Sequence, residues 1–330
     1  MRLQNACIIL LAIFPGCFLG SAAQEYFGTE HLKFVKSILL EKVTGRVGNM
    51  DFNLKDSVLY IAAEENNSLE VVDLKNGKLV CSIRGIKKPK SVCYIAQNDE
   101  IFVTTGTNNC YFFDSKSFEK VAVLHLMSHS DPALYDSAKR TIYVGYGEEG
   151  IASINADTHK KTGFFPLYFR PAAFKIDNGR NIVYINLPDN YTTTTFDLKE
   201  WRLGRTYRTE RLLVDKFDVD TIQDRLFIGY RKSPVILLID GKTGRELKLI
   251  TAILNIENIH YDTNYRKLYV SGDGRLNIFQ ESAGGFKQIA NIKTSVEARN
   301  SFFIPHLNLY LIAIEAKVAR NAELLVYKIV

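Results

Sequence analysis

One short strand motif recurs seven times along the chain at a nearly constant spacing. Its central aromatic residues lie at positions 60, 102, 143, 184, 227, 269 and 310, so successive copies are 41 to 43 residues apart. Each copy reads apolar-aromatic-apolar, as in Leu59-Tyr60-Ile61 and Leu268-Tyr269-Val270. A period near 40 residues with several short strands per unit is typical of β-propeller blades. The repeat therefore predicts a ring of seven blades.

Each repeat has the same internal order of strands and turns. Its first strand ends in an acidic residue, as at Tyr135-Asp136, and a polar turn leads into the aromatic strand. Its third strand ends in an acidic or polar residue, as at Ile239-Asp240, and a tight turn leads into a fourth strand. Apolar-polar alternation rich in β-branched and aromatic residues and broken by Gly, Asn and Asp is typical of antiparallel strands joined by short turns. The repeats therefore predict an all-β fold, a seven-bladed β-propeller of four-stranded antiparallel blades.

The seventh repeat has no obvious fourth strand before the chain ends at Val330. A strand-like segment, 34–40, stands before the first repeat and has no repeat of its own. We expect this N-terminal strand to complete the last blade and close the ring, because closure removes a sheet edge that would otherwise pair with other chains. One closed ring accounts for residues 24–330 as a single domain, and we expect a monomer.

The first 23 residues have the pattern of a signal peptide. Arg2 precedes an apolar run over residues 7–14, and Ser21-Ala22-Ala23 provides small residues for cleavage after Ala23. The run is too short to span a membrane, and no other segment is apolar over a sufficient length. The chain is therefore predicted to be periplasmic or secreted, without a membrane span. An alternative places a lipid anchor on Cys17, although the bulky residues before it fit a lipoprotein signal poorly.

Charge and motifs argue against several classes of function. The net charge of +6 is spread along the chain and the basic cluster 87–90 is short, so we expect no nucleic-acid partner. Residues 145–150 match the Gly-x-Gly-x-x-Gly pattern of dinucleotide-binding sites, but the sequence predicts a strand after them, where that motif requires a helix. His125 and His129 have a spacing that could bind zinc on a helix, but they lie in a stretch that links two blades, so we expect no metal and no cofactor. The cysteines after the leader, Cys81, Cys93 and Cys110, are expected on separate strands as free thiols.

A candidate binding site follows from the repeat itself. In a propeller, the residue pair just before each innermost strand surrounds the mouth of the axial funnel. These pairs begin at positions 48, 90, 131, 172, 215, 257 and 299, and all but the fourth, which has two alanines, contain a polar or charged residue. Converging polar groups over a concave opening are the usual form of a ligand site. The predicted ligand-binding residues, with Arg231 added from a loop on the same face, are Asn49, Lys90, Asp131, Lys216 (or Asp215), Arg231, Glu257, Asn258, Arg299 and Asn300. A funnel whose charges only neutralise one another, as in Lys90–Asp131 or Glu257–Arg299 pairs, would give the same pattern.

Three segments carry a resemblance to a known family. They are 131–147, with Tyr135-Asp136 before Lys139-Arg140 and a glycine-rich strand end; 229–240; and 261–272. In these segments the chain resembles the lactonase-like, YVTN-type seven-bladed propellers of exported bacterial proteins. The resemblance covers residues 24–330 and implies a periplasmic or secreted propeller. Members of the family often carry a His near the first inner strand, where this chain has Asn49, so a His-based acid or base at the mouth is not supported.

Two hypotheses from different classes follow. The first is a non-catalytic scaffold at the cell envelope that binds a small polar ligand or another exported protein through the axial funnel. The alternative is a lactonase-like hydrolase, in which Glu257 or Asp131 would activate water and Arg299 or Arg231 would stabilise the oxyanion. A shared fold does not imply a shared reaction, so we favour binding over catalysis.

Overall fold

A computed structural model describes residues 29–148, 150–209, 214–230, 232–318 and 320–330. In these residues, 28 strands form seven four-stranded antiparallel sheets arranged as a ring. The chain is thus a seven-bladed β-propeller, as the repeat predicts. The predicted signal peptide, residues 1–23, lies outside the described residues. The described part contains no helix long and apolar enough to cross a bilayer.

The blades are numbered in chain order and their strands are given from the channel outward. Blade 1 contains β2 (Val47–Asn53), β3 (Val58–Ala63), β4 (Ser68–Asp73) and β5 (Lys78–Arg84); blade 2 contains β6 (Pro89–Ile95), β7 (Glu100–Thr105), β8 (Asn109–Asp114) and β9 (Lys120–His125); blade 3 contains β10 (Ser130–Asp136), β11 (Thr141–Tyr146), β12 (Gly150–Asn155) and β13 (Lys160–Pro166). Blade 4 contains β14 (Ala173–Asp177), β15 (Ile182–Leu187), β16 (Thr192–Asp197) and β17 (Arg202–Arg208); blade 5 contains β18 (Val214–Asp220), β19 (Arg225–Tyr230), β20 (Val235–Asp240) and β21 (Glu246–Thr251). Blade 6 contains β22 (Ile256–Asp262), β23 (Lys267–Gly272), β24 (Arg275–Ser282) and β25 (Gly285–Lys293); blade 7 contains β26 (Ala298–Ile304), β27 (Leu309–Ile314), β28 (Ala322–Ile329) and β1 (Leu32–Leu40). Two short 3-10 turns connect neighbouring strands. Pro188–Asn190 joins β15 to β16 in blade 4, and Pro305–Leu307 joins β26 to β27 in blade 7.

The N-terminal strand closes the ring. β1 pairs antiparallel with β28, from Leu32 opposite Ile329 to Leu40 opposite Ala322. It is the outermost strand of blade 7, and its Leu32, Ile38 and Leu40 side chains are buried. The predicted closure is confirmed, with the strand beginning two residues earlier than the sequence pattern indicated.

The recurring aromatic residues form the core between blades. The rings of Tyr60, Phe102, Tyr184, Phe227 and Tyr269 are fully buried. Each side chain of this size removes enough apolar surface from water to contribute about 2–3 kcal/mol to folding. Successive blades therefore pack against each other through the recurring aromatic residue. This packing explains why the motif recurs at a fixed spacing.

The acidic residues that end strands hold the following turns. Asp136 Oδ1 accepts hydrogen bonds from the backbone N–H groups of Ala138 at 3.0 Å and Lys139 at 3.2 Å. Asp240 Oδ1 accepts from Thr243 N at 2.7 Å, and such bonds lower the pKa of the Asp240 carboxyl. This is the usual turn chemistry of Asp. The Tyr-Asp and Ile-Asp signals of the sequence thus have a structural role in the turns.

Candidate functional site

A channel of about 960 Å³ runs along the axis of the ring. Residues from the innermost strands of all seven blades line it. On blades 1, 2 and 3 the lining continues beyond the inner strands to Leu54, Ala96 and Ser137, whereas on blades 5, 6 and 7 it ends near the middle. The cavity is therefore asymmetric and follows the first three blades towards the far face.

The strand registers sort the inner-strand residues into three rings stacked along the channel. Residues opposite the recurring aromatics form the middle ring: Asp51, Cys93, Leu134, Lys175, Asp218, His260 and Phe303. The residues just before them form an apolar ring: Met50, Val92, Ala133, Phe174, Phe217, Ile259 and Phe302. The residues two positions before the middle ring on each inner strand form the mouth ring: Asn49, Ser91, Pro132, Ala173, Lys216, Asn258 and Ser301.

A register shift marks the start of the inner strand in every blade except blade 4. At each register shift, two residues of the inner strand lie opposite one residue of the second strand. In blade 1, for example, Gly48 and Asn49 lie opposite Ala62. Such β-bulges turn side chains away from the regular alternation. The pairs that the repeat places at the mouth thus coincide with bulges in most blades, which brings Lys90 and Asp131 into the lining beside the mouth ring.

A chain of hydrogen bonds links three blades at the mouth. Asn49 Nδ2 donates to Ser91 Oγ at 2.8 Å, and Ser91 Oγ donates to Asp131 Oδ1 at 2.9 Å. Burial raises the pKa of the Asp131 carboxyl, while the Ser91 hydrogen bond and the nearby cations Lys90 and Lys216 oppose the rise. A desolvated carboxylate in a cleft is a common feature of functional sites.

The cations at the mouth differ in their partners. Lys90 Nζ lies 2.5 Å from Glu64 Oε1, in the turn between β3 and β4 of blade 1, so its ion-pair partner is Glu64 and not Asp131. Lys216 lines the channel and is half-buried, and it has no carboxylate within ion-pair distance in the part of the chain that the structure describes. Between Asp131 and Lys216, blade 4 presents the small side chains of Ala172 and Ala173, which leave this sector of the lining open.

The remaining predicted site residues are divided between the lining and its surroundings. Asn258 and Asn300 line the channel, and Asn300 Nδ2 donates to the Val47 carbonyl oxygen. Arg299 Nη1 lies 3.4 Å from Glu257 Oε1, and neither residue contributes to the lining. Arg231 lies outside the described residues. A role in binding stays a prediction for all of them.

Blade 7 is offset from the sequence alignment by one residue. Its bulge lies one residue pair further from the aromatic of the second strand, so Ser301, not Asn300, opposes the position that Asn258 opposes in blade 6. The pair at this level is therefore Asn300-Ser301, where the repeat alignment gives Arg299-Asn300. The shift follows from a longer ladder on β27. Arg299 is the extra residue of its bulge, as Glu257 is in blade 6, and neither residue lines the channel.

The middle ring was missed by sequence reasoning. Asp218 Oδ1 lies 2.9 Å from Lys175 Nζ, and Asp218 Oδ2 accepts from Tyr261 N in the next blade at 2.7 Å. Asp51 Oδ2 likewise accepts from Tyr94 N of the next blade at 2.6 Å. These carboxylates satisfy inner-strand N–H groups that have no further strand to pair with. In the sequence, these carboxylates could have been found as charged residues at the position opposite the recurring aromatic. The same position is apolar in blades 3 and 7.

The Asp51 carboxyl predicts a pH dependence of stability. Burial raises its pKa from 3.8 to about 6, although hydrogen bonds from Tyr94 N and Phe52 N oppose the rise. The folded state therefore binds this proton more tightly, and the associated stability is complete below pH 3.8 and is lost as the pH rises through 6. We expect a loss on the order of 2 kcal/mol. Burial, reinforced by Lys175, lowers the pKa of His260 to about 4, which acts in the opposite direction over the same range.

Urea unfolding of wild type and Asp51→Asn at pH 4 and pH 7 separates the two effects, since both proteins retain His260. The free energy of unfolding of wild type relative to the variant should fall by roughly 2 kcal/mol between the two pH values. An equal difference at both pH values would contradict the assignment to Asp51.

Among the described residues, no three His, Cys, Asp or Glu side chains are grouped as they would be to bind a metal ion. Cys81, Cys93 and Cys110 are free thiols on three different strands, as the sequence predicts. Burial raises the pKa of the Cys93 thiol, and the neighbouring Asp51 raises it further. Cys93 is therefore a poor nucleophile in the channel.

The fold has many structural relatives. The chain matches a chain in the crystal structure of a mitotic checkpoint complex at 13% sequence identity, with a TM-score of 0.72 and 99% of both chains covered. It matches the structure of U3-55K at 10% identity and a TM-score of 0.75, covering 91% of this chain and 99% of the other. No protein-family model matches the sequence, and no curated protein does. At these identities the likeness extends to the fold alone, and by fold the chain is a seven-bladed β-propeller.

Proposed function

We propose that this protein is a recognition module that binds a small polar ligand in its axial channel. The observation that carries the proposal is the mouth ring, where polar side chains from several blades converge on a cavity of about 960 Å³. Cavities of this size with a few convergent polar groups are the usual sites for small ligands. The channel is open at blade 4, where two alanines leave room for a bound molecule.

The place of action that we propose is the cell envelope or the exterior. The proposal is supported by the signal-peptide pattern of residues 1–23, with cleavage after Ala23, and by the resemblance to exported YVTN-type propellers. The propeller fold commonly serves protein interaction, so docking of another exported protein on the same face is the second mode of recognition. Such a partner would cover the channel mouth without filling the channel.

A hydrolase is the second candidate, and Asp131 is the observation that favours it. Its carboxyl is desolvated, its pKa is raised, and Lys90, Lys216 and Arg170 supply positive charge nearby. A raised carboxyl pKa suits a general base, and a cation can stabilise an oxyanion. Lactone hydrolysis by wild type that is lost in Asp131→Asn would assign the protein to this class.

A channel-blocking variant tests the proposed site. Ala173→Trp places a bulky ring in the open sector, so we expect it to abolish the thermal stabilisation that a screened small polar ligand gives to wild type. A ligand at 100 times its Kd should stabilise wild type by about 2.7 kcal/mol. Arg140→Met, which alters an exposed charge outside the lining, is the control and should retain most of this effect. A ligand that stabilises Ala173→Trp as much as wild type binds elsewhere and would contradict the proposal.

A further inference from the structure

We infer that the mouth of the channel recognises a small zwitterion of the amino-acid class, with its carboxylate towards blades 5 and 6 and its ammonium group towards blade 3. The inference rests on the proposed function, since it specifies the ligand of the same channel. It follows from which polar groups at the mouth already have partners and which do not.

Lys216 provides the anion-binding side. Among the partly buried lysines of the lining, Lys90 is paired with Glu64 at 2.5 Å and Lys175 with Asp218 at 2.9 Å. Lys216 is half-buried in the same lining without an ion-pair partner among the described side chains. An ammonium group that is partly removed from water and not paired is unfavourable, and an anionic ligand would compensate it.

Asn258 lies beside Lys216 at the same level of the mouth ring. Lys216 opposes Gly229 and Asn258 opposes Ser271, which are equivalent positions of neighbouring blades. The Asn258 amide nitrogen is buried without a hydrogen-bond partner in the described part of the chain. Asn258 lines the channel, and a half-turn of this amide exchanges its nitrogen and oxygen, so the group can present a donor to a bound carboxylate. An ammonium and an amide donor on adjacent strands match the two oxygens of one carboxylate.

Asp131 provides the cation-binding side, two blades away. Its Oδ1 accepts from Ser91, while the described residues offer no donor to Oδ2, which leaves a free acceptor at the channel. A ligand ammonium group at Oδ2 would donate a charge-assisted hydrogen bond to this carboxylate and compensate its burial. Because Asp131 and Lys216 have opposite charges on the two blades that flank blade 4, they also fix the direction of the ligand.

Blade 4 and the apolar ring shape the space between the two charges. Ala172 and Ala173 occupy the sector between Asp131 and Lys216, and neither side chain can donate or accept a hydrogen bond. Phe174 and Phe217 lie one residue deeper on the adjoining strands. This surface suits the carbon skeleton of the ligand and predicts a preference for an apolar amino-acid side chain over a charged one.

Isothermal titration calorimetry with L-leucine, N-acetyl-L-leucine and L-leucine methyl ester tests the inference, since each derivative lacks one charge. We expect L-leucine to bind, each derivative to bind at least tenfold more weakly, and Ala173→Trp to abolish binding. Lys216→Met should weaken L-leucine at least tenfold and remove its advantage over the methyl ester. Asp131→Asn should remove its advantage over the N-acetyl derivative. Arg140→Met, which changes an exposed charge outside the lining, should leave both preferences unchanged, and unfolding midpoints check that the variants fold.

Two other outcomes separate the inference from the proposed function. If a neutral ligand such as a sugar binds wild type and is blocked by Ala173→Trp, while none of the leucine probes binds, the zwitterion inference is overturned and the channel remains a binding site. If L-leucine binds equally to wild type and Ala173→Trp, its site lies elsewhere and the inference also fails. Retained discrimination in Lys216→Met would contradict the assignment of the carboxylate side.

Discussion

Deletion of residues 29–41 is expected to abolish the soluble, cooperatively folded protein. The deletion removes β1, which completes blade 7 through its pairing with β28 from Leu32 to Leu40. Burial of Leu32, Ile38 and Leu40 alone contributes on the order of 5 kcal/mol, comparable to the whole net stability of many domains. The exposed edge of β28 would then be free to pair with other chains, so aggregation should follow.

Size-exclusion chromatography and urea unfolding of the truncated chain measure this effect. A chain beginning at Thr29 retains β1 and serves as the control for the loss of preceding residues. A matched pair of substitutions within the strand separates packing from length: Ile38→Asp places a charge in the core, whereas Leu39 is 48% exposed and Leu39→Asp should be tolerated. A soluble truncated chain with an unchanged unfolding midpoint would show that ring closure contributes little.

The architecture of the ring was predictable because one physical requirement recurs in every blade. The fully buried rings of Tyr60, Phe102 and Tyr269 occupy the same place between blades, so the aromatic pattern reports the fold directly. Ring closure was predictable for a related reason, since a seventh sheet short of one strand needs the unassigned N-terminal segment. Both inferences depend on local strand patterns and on counting, which a single sequence contains.

The candidate site was predictable only in part. The repeat spacing located Asn49, Lys90 and Asp131 at the mouth, where they line the channel. It misplaced the blade 7 pair by one residue, because a bulge shifts the register without changing the spacing of the aromatics. It also gave no information on pairing: the Lys90 side chain meets Glu64, a residue of a different loop, and not Asp131. Lateral contacts between blades depend on side-chain reach, which the sequence pattern does not encode.

The middle ring shows the same limit. Asp51 and Asp218 occupy equivalent positions of their blades. The sequence pattern shows only that these positions are the polar ones of a strand in which apolar and polar residues alternate. Their hydrogen bonds to Tyr94 N and Tyr261 N become visible only when the next blade is in place. The polar interior of the channel is thus a property of the closed ring.

Arg225→Met is expected to cost about 3–5 kcal/mol of stability, because it breaks a buried ionic network. Arg225 is 8% exposed, and its guanidinium donates to Asp220 Oδ2 at 2.7 Å and to Glu281 Oε1 at 2.6 Å. Tyr261 OH donates to Glu281 Oε2 at 2.5 Å, so the network joins blades 5 and 6. Without the guanidinium, the buried Asp220 carboxylate would lose its cationic partner, and Glu281 would keep only Arg266, which is 52% exposed and lies 3.5 Å from Glu281 Oε1. Urea unfolding at pH 7 measures the loss.

Arg140→Met is the matched control. Arg140 pairs with Asp157, but the two side chains are 39% and 43% exposed, so its loss should cost far less stability than the loss of Arg225. Acid provides an independent check on the buried network. Burial raises the pKa of Glu281, but hydrogen bonds from Arg225 and Tyr261 outweigh this and hold it at about 2. The stability from Glu281 is therefore present above pH 4.5 and is lost as the pH falls towards 2, and this loss should be much smaller in Arg225→Met. Equal stability of Arg225→Met and Arg140→Met at pH 7 would mean that the contacts between blades 5 and 6 depend on their apolar packing and not on this network.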